Sequence, residues 1–254
     1  MITEERWAII LELLERKRTA TISELEEAVG ASASTIRRDL AQLCSQGRLR
    51  KVHGGAAALE ANFSVRELTM EEKTELNMRE KEIIGRYAVS LIRPEDFVYI
   101  DAGTTTGMLV EAVEERKAVY VTNSVMHARK LAHKGCRVLM TGGELKASTE
   151  ALVGSTAVED LRRYHFTRAF LGTNAVSLSA GFTTPDPAEA MVKKAAIEQA
   201  RQTYVLCDYS KFDQVSPVTF AAFSAAYIIT DSLRNRDYAR LGNVIEAEHR
   251  NTGI

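Results

Sequence analysis

The sequence predicts an α/β protein of two domains: a small helical module that ends in a basic hairpin, and a larger domain with a mainly parallel sheet. Three observations predict it. At 254 residues the chain exceeds one average domain and falls short of three. Up to residue 56 apolar side chains recur at helical spacing between short turns, and from residue 81 β-rich apolar runs alternate with stretches of helical length.

In the first module, residues 1–56, Trp7, Ile10, Leu11 and Leu14 stand at i, i+3, i+4 and i+7 and form one face of a first helix. Ser23, with Glu26 three residues on, is expected to open a second helix with Leu25, Ala28 and Val29 inward and Gly30 as its stop. A third helix follows Ala31-Ser32, with Ile36, Leu40 and Leu43 inward and Gly47 at its end. Helices this short can bury these faces only against one another. The outer face of the third helix is left with Ser34, Thr35, Arg37 and Arg38, the groups that meet phosphates and base edges when a helix lies in a major groove. Asp39 beside them suits a brace for a neighbouring arginine or a local cap. From Arg48 to Gly55 apolar and basic residues alternate before paired glycines, the pattern of a β-wing. Its Arg48, Arg50, Lys51 and His53 can follow a phosphate backbone or enter a minor groove. Helix, helix, turn, basic helix and basic hairpin in that order make a winged helix-turn-helix.

Local charge agrees with this orientation. Residues 1–30 hold four basic side chains against seven glutamates, whereas residues 31–56 hold five against Asp39 alone. Over the whole chain the net charge is -1, with 45% hydrophobic and 26% charged residues, an ordinary composition that decides nothing about nucleic acid. Cys44, Cys136 and Cys207 are scattered and no histidines cluster near them, which speaks against a disulfide framework, a zinc site or any cofactor. The start, Met1 through Arg6, carries three charges where a signal peptide needs an apolar stretch, and no apolar run approaches the ~20 residues of a membrane span, so a cytoplasmic location with no membrane partner is expected. Residues 57–80, with the run Glu71-Glu72-Lys73-Thr74-Glu75, suit a linker with some helix.

In the second domain, residues 81–254, strands are expected at 97–100, 119–121, 138–140, 169–171, 204–206 and 227–229. Ligands of such sheets sit outside the carboxyl ends of the strands. After the first strand comes Asp101-Ala102-Gly103-Thr104-Thr105-Thr106-Gly107, then a helix from about Met108. Gly103 admits a close backbone approach, Thr104, Thr105 and Thr106 supply hydroxyls, and a helix N-terminus offers N–H groups, a combination that suits phosphate. Asp101 would repel a phosphate and is better cast as an acceptor for a sugar hydroxyl or a brace of its loop. Thr122, Asn123, Gly142, Gly143, Asn174, Asp208 and Lys211 follow other strands and suit a small polyol phosphate. Lys211 is the first choice of charge partner for the phosphate and Lys146 the second.

These motifs carry a family resemblance. Ser32-Ala33-Ser34-Thr35-Ile36-Arg37-Arg38-Asp39-Leu40 with Val52-His53-Gly54-Gly55-Ala56 resembles the signature of the DeoR family of repressors. Asp101 through Thr106, Thr122-Asn123, Gly142-Gly143 and Asp208 through Phe212 resemble that family's sensor domain, which implies a fold like ribose-5-phosphate isomerase and the CoA-transferases. The resemblance implies double-stranded operator DNA as a partner, with Ser34, Thr35, Arg37 and Arg38 as contacts. Phe170 through Ala175 and Gly181 through Pro187 resemble the fructose-operon subgroup, while many other members have Asp-Gly where Asn174-Ala175 stands. The subgroup implies fructose 1-phosphate as effector, with fructose 1,6-bisphosphate second. A homo-oligomer is expected, because a single winged module holds a DNA site weakly.

The rival class is an enzyme. An isomerase needs a base and an acid, yet in the isomerase-like motif that Gly172 to Ser177 resembles, Asn174 and Ser177 stand at aspartate positions. Glu144, Asp186 and Glu189 remain as candidate acids or bases. A CoA-transferase-like enzyme with a glutamate nucleophile is a third reading, for which no specific motif stands beside Glu144. No catalytic residue is assigned.

Overall fold

The computed structural model describes residues 2–17, 19–46, 48–58, 62–63, 69–235 and 237–247. The expectations for Met1, Arg18, Gly47 and the connector residues Leu59, Glu60 and Ala61 lie outside the described residues. Two compact units part between Asn62 and Phe63.

The first unit runs α1 (Thr3–Lys17), β1 (Thr19–Thr21), α2 (Ile22–Val29), α3 (Ala33–Ser45), β2 (Leu49–Val52) and β3 (Gly55–Ala58). Ile10, Leu14, Leu25, Val29, Ile36, Leu40 and Leu43 meet in one buried cluster with Leu49 of the hairpin, so the three apolar faces and the wing share a core. β2 and β3 form the expected antiparallel hairpin, and β1 joins it on the far side of β3, an element too short for its own periodic signal. Gly54 makes the turn at φ 79°. At Gly55 a Cβ would come within 2.1 Å of the Ala20 carbonyl oxygen, so only glycine lets β1 and β3 approach.

β1 also moves the start of α2. The N-cap is Thr21 rather than Ser23, because Thr21 ends a strand in extended geometry (φ -75°, ψ 161°) with its hydroxyl free to fold onto the helix. Thr21 Oγ1 accepts from the Glu24 N–H at 3.3 Å, and the Glu24 carboxylate accepts from the Thr21 N–H at 2.9 Å. That backbone N–H, with Lys17 beside it, holds Glu24 down at about 2. Gly30 closes α2 in the left-handed region, its N–H on the Glu26 carbonyl at 2.8 Å.

Asp39 faces inward from α3 and is 2% exposed. Its oxygens accept from Arg6 Nε at 2.8 Å, Arg6 Nη2 at 3.0 Å and Trp7 Nε1 at 3.2 Å, so it braces α1 rather than an arginine of its own helix. Burial pushes its carboxyl up, but those hydrogen bonds and the Arg6 charge outweigh burial and hold it below its ordinary value.

In the second unit, after the two-residue β4 (Asn62–Phe63), come α4 (Met70–Glu75), α5 (Met78–Val89), β5 (Phe97–Ile100), α6 (Thr104–Ala112) and β6 (Val119–Thr122). Then follow α7 (Val125–His133), β7 (Arg137–Met140), β8 (Glu144–Lys146), β9 (Ala151–Val153), α8 (Ser155–Arg162), β10 (Phe166–Gly172), β11 (Ala175–Ser177) and β12 (Gly181–Thr184). The unit ends with α9 (Pro187–Glu198), β13 (Ala200–Leu206), β14 (Gln214–Val215), β15 (Val218–Ala221), β16 (Tyr227–Thr230) and β17 (Val244–Glu246).

Seven strands form one parallel sheet in the order β17-β16-β13-β10-β5-β6-β7. All six expected segments lie in it. β17 was not anticipated, since three residues among polar neighbours leave no pattern. The hairpin β8-β9 and the antiparallel trio β11-β12-β15 complete the strand pairing that concerns the site. Side chains alternate as a sheet requires. Val98, Ile100, Tyr120 and Phe170 join Ile84, Leu109 and Val110 of α5 and α6, while Tyr99, Val121, Ala169 and Leu171 join Ala157, Leu161 and Val192 of α8 and α9. Helices therefore cover both faces. Among the described residues no helix is long and apolar enough to cross a membrane.

Strand order reverses between β5 and β10, the point at which such sheets leave a crevice at their carboxyl ends. Asp101 follows β5 and falls in phase with Tyr99, so it points to the α9 side. There it pairs with Lys193, and the two are 2% and 5% exposed. Asp101 Oδ2 also accepts the Gly172 N–H at 3.1 Å, and Lys193 donates to the Gly172 carbonyl at 3.2 Å. Burial pushes the Asp101 carboxyl up from its ordinary range, against the pull of Lys193. The pair fastens the ends of β5 and β10 to α9.

Two substitutions test these braces. Asp39→Ala strands Arg6 and Trp7 and should cost about 1–3 kcal/mol at neutral pH, read by urea unfolding. Because the folded carboxyl lies below its unfolded value, that deficit is complete above about pH 4 and shrinks as the pH falls through the folded value. Lys193→Met leaves a buried carboxylate unpaired and should cost about 3–5 kcal/mol, and adding Asp101→Asn should restore part of it. A double variant no more stable than Lys193→Met alone would show the pair is not the source of the loss.

Candidate functional site

In the first unit the exposed face of α3 is built by elimination. Ile36, Asp39, Leu40 and Leu43 are buried, so Ser34, Arg37 and Arg38 are exposed and Thr35 half-buried. Ser32 caps α3 in extended geometry (φ -66°, ψ 155°), and its hydroxyl lies 3.0 Å from that of Ser34 and 3.1 Å from that of Thr35. Arg50, Lys51 and His53 are exposed on the wing, whereas Arg48 is half-buried. A helix with free guanidinium groups beside hydroxyls, and a hairpin with a cationic edge, are the two elements that engage duplex DNA.

In the second unit a pocket opens at the carboxyl ends of β5, β10 and β13. Gly103, Thr104 and Thr105 line it at the start of α6, whose first turn presents N–H groups with no partner inside the helix. Gly172, Thr173 and Asn174 line it from the end of β10, and Asp208 and Lys211 from the turn after β13. Asp208 caps that turn by accepting the Ser210 N–H at 3.0 Å, and the Tyr209 N–H bonds Asp231 at 2.9 Å, which fixes where Lys211 emerges. Lys211 has no side-chain hydrogen bond or ion pair among the described residues. Lys81, on α5, also lines the pocket, and burial pushes its ammonium down to about 8 while Asp208 opposes the shift. A lysine with no side-chain partner among the described residues, hydroxyls and a helix N-terminus are groups that can cradle a phosphate, with polar groups at hand for a sugar.

Six of the expected effector residues therefore line the pocket: Gly103, Thr104, Thr105, Asn174, Asp208 and Lys211. The others are not among its lining residues. Asp101 is the buried partner of Lys193. Thr106 donates to the carbonyls of Asp101 at 2.7 Å and Gly103 at 3.0 Å, and Asn123 accepts the Ala102 N–H at 2.8 Å, so both shape the loop from beneath. Thr122 accepts the Ser124 N–H at 3.1 Å, and Gly142 donates to Asp160 at 2.7 Å. Gly143 packs on the Val153 carbonyl. Lys146 is held by Asp186 at 2.9 Å and Glu189 at 3.2 Å, so it is no free charge partner.

Sequence reasoning missed Lys193, Lys81, Thr149, the α4 residues Met70 and Lys73, and Leu76 just after that helix, all of which line the pocket. The one available signal was the i, i+4 pair Glu189 and Lys193 on the face of α9 that carries Ala190, Val192 and Ala196, an apolar face on which charges demand partners. Of the three carboxylates weighed as acids or bases, Glu189 alone lines the pocket. Its oxygens already accept from Thr149 at 2.6 Å, Lys146 at 3.2 Å and Thr184 at 3.4 Å, and although burial pushes its carboxyl up, Lys193 and these partners hold it low. Asp186 caps α9 and Glu144 is exposed on β8.

Comparison with known proteins matches both units. Residues 6–62 match the family described as a DeoR-like helix-turn-helix domain, and residues 76–232 match the DeoR C terminal sensor domain. The chain is 43% identical to the HTH-type transcriptional regulator FruR of Bacillus subtilis, over 91% of each chain. It is 35% identical to the regulator GlpR of Haloferax volcanii, over 93% of each. With the lactose phosphotransferase system repressor of Staphylococcus aureus it shares 33% identity, over 83% of this chain and 84% of that one. Among solved structures, ribose 5-phosphate isomerase A of Methanocaldococcus jannaschii aligns with 54% of this chain and 55% of its own at 15% identity and a TM-score of 0.41. With both units matched and relatives alike along almost the whole length, the chain belongs to the DeoR family of helix-turn-helix transcriptional regulators.

Proposed function

We propose that the protein is a repressor of a sugar-utilisation operon, bound to duplex operator DNA through α3 and the wing and relieved by a phosphorylated sugar. The observation that carries this reading is a pocket lined by the α6 N-terminus and by Lys211, which has no side-chain partner among the described residues, in the same chain as an exposed basic helix and hairpin. Fructose 1-phosphate is the favoured effector and fructose 1,6-bisphosphate the second, on the subgroup resemblance of Phe170–Ala175 and Gly181–Pro187. The Staphylococcus aureus relative, named as a repressor of a sugar phosphotransferase system, supports the same class of target.

Ser34, Thr35, Arg37 and Arg38 read bases and phosphates in the major groove, while Arg50, Lys51 and His53 follow the backbone. A single winged module binds weakly, so the protein acts as a homo-oligomer on paired half-sites in the cytoplasm. Phosphate meets the α6 N-terminus, Thr104, Thr105 and Lys211, and the sugar meets Asn174 and its neighbours. The ligand leaves unchanged, since Asn174 is an amide and the oxygens of Glu189 are occupied. Linkage requires that operator DNA weaken sugar binding by the factor by which sugar weakens DNA binding.

A gel shift on the DNA upstream of the protein's own gene, repeated with a panel of sugar phosphates, tests the whole scheme. Release by fructose 1-phosphate in preference to glucosamine or galactose phosphates is expected, and turnover of any of them would revive an enzyme. Arg37→Ala should lose on the order of 1–3 kcal/mol of operator discrimination, whereas a uniform loss on all DNA would make Arg37 a phosphate contact. Lys211→Ala should keep operator binding and lose the sugar response.

A further inference from the structure

Helix α4 contributes Met70 and Lys73 to the pocket, and Leu76 lines it just past the helix, yet none of the six residues of α4 is buried. A helix of this length has no stability of its own, and apolar burial does not supply it here. Polar ties hold it instead. The Met70 N–H donates to the Ser148 carbonyl at 3.2 Å, and the Lys81 ammonium donates to the Lys73 carbonyl. At its far end Asn77 Nδ2 donates to Asp208 Oδ1 at 2.9 Å and to Ser210 Oγ at 3.3 Å. Asn77 has φ 50°, a left-handed conformation that costs a non-glycine residue energy, and its side-chain bonds offset that cost.

Asp208 Oδ1 is also the atom that caps the turn presenting Lys211, through the Ser210 N–H and hydroxyl. One carboxylate oxygen therefore serves both α4 and the phosphate-binding turn. We infer that Asn77 is a positioning residue of the effector site, latching α4 onto Asp208 so that this last part of the connector becomes a wall of the pocket. The inference rests on the effector reading above and adds its route outward. A sugar phosphate held by Lys211 favours the latched α4, and α4 lies on the sequence path to the DNA-binding unit. Occupancy is thereby felt by the connector.

Calorimetric titration of fructose 1-phosphate into the full chain tests this, with two variants. Asn77→Gly keeps the left-handed backbone without strain and removes only the amide, while Asn77→Asp keeps the shape and sets a carboxylate against Asp208. Both should bind the sugar about ten-fold more weakly, the worth of a hydrogen bond to a charged group. Operator affinity without sugar should stay within about two-fold of wild type, as for a surface change away from the DNA contacts. Deuterium exchange at 70–76 should be faster in both variants. Asn77→Gly binding the sugar as wild type does, with unchanged exchange, overturns the latch alone. A wild-type chain that binds no sugar phosphate overturns the effector reading and the latch together.

Discussion

A carboxylate and an ammonium that are 2% and 5% exposed can stay charged only if each answers the other, and Asp101 and Lys193 do so where β5 and β10 end. The ends of β5 and β10 are arranged around the pair. Gly172 gives its N–H to Asp101 and its carbonyl to Lys193, so the two strands at the reversal of strand order are clamped by one helix. Thr106 and Asn123 fix the loop that follows Asp101, and this loop delivers the first turn of α6 to the pocket. A phosphate cradle built on backbone N–H groups needs a loop that does not give way, and a buried ion pair with secondary hydrogen bonds supplies that.

The first unit solves the same problem on a smaller scale. Asp39 is the one acid in the basic half of the module, and it turns inward to fork onto Arg6 and Trp7. Its neighbours Arg37 and Arg38 are left on the exposed face. Burying the acid both ties α3 to α1 and takes a negative charge away from the surface that DNA would meet.

The larger unit divides labour between rigid and light elements. The α6 cradle sits on a sheet covered by helices on both faces, whereas α4 is held by a few hydrogen bonds and no buried side chain. Regulation needs such a contrast, since a ligand can shift only what is near balance between two arrangements. A wall fastened through Asp208 to the turn of Lys211 meets that requirement without weakening the core.

Local pattern determined the elements and which of their faces turn inward. Helical spacing placed Ile10, Leu14, Ile36 and Leu40 in one core, six β-rich runs became six parallel strands, and Gly30 and Gly54 stand at the positive-φ positions that stop or turn the chain. The exposed basic face was legible because α3 and the wing are contiguous pieces of sequence. The pocket was legible only where its residues directly follow a strand, as Thr104, Asn174 and Lys211 do. Strand order, and with it the meeting of Asp101 and Lys193 across 92 positions, was not, because pairing in a parallel sheet is settled by long-range packing that leaves no local period. The same holds for Thr21 as the cap of α2, chosen by β1 pairing with β3, and for α4 on the pocket. Each depends on which distant segment lies alongside, and only the folded chain decides that.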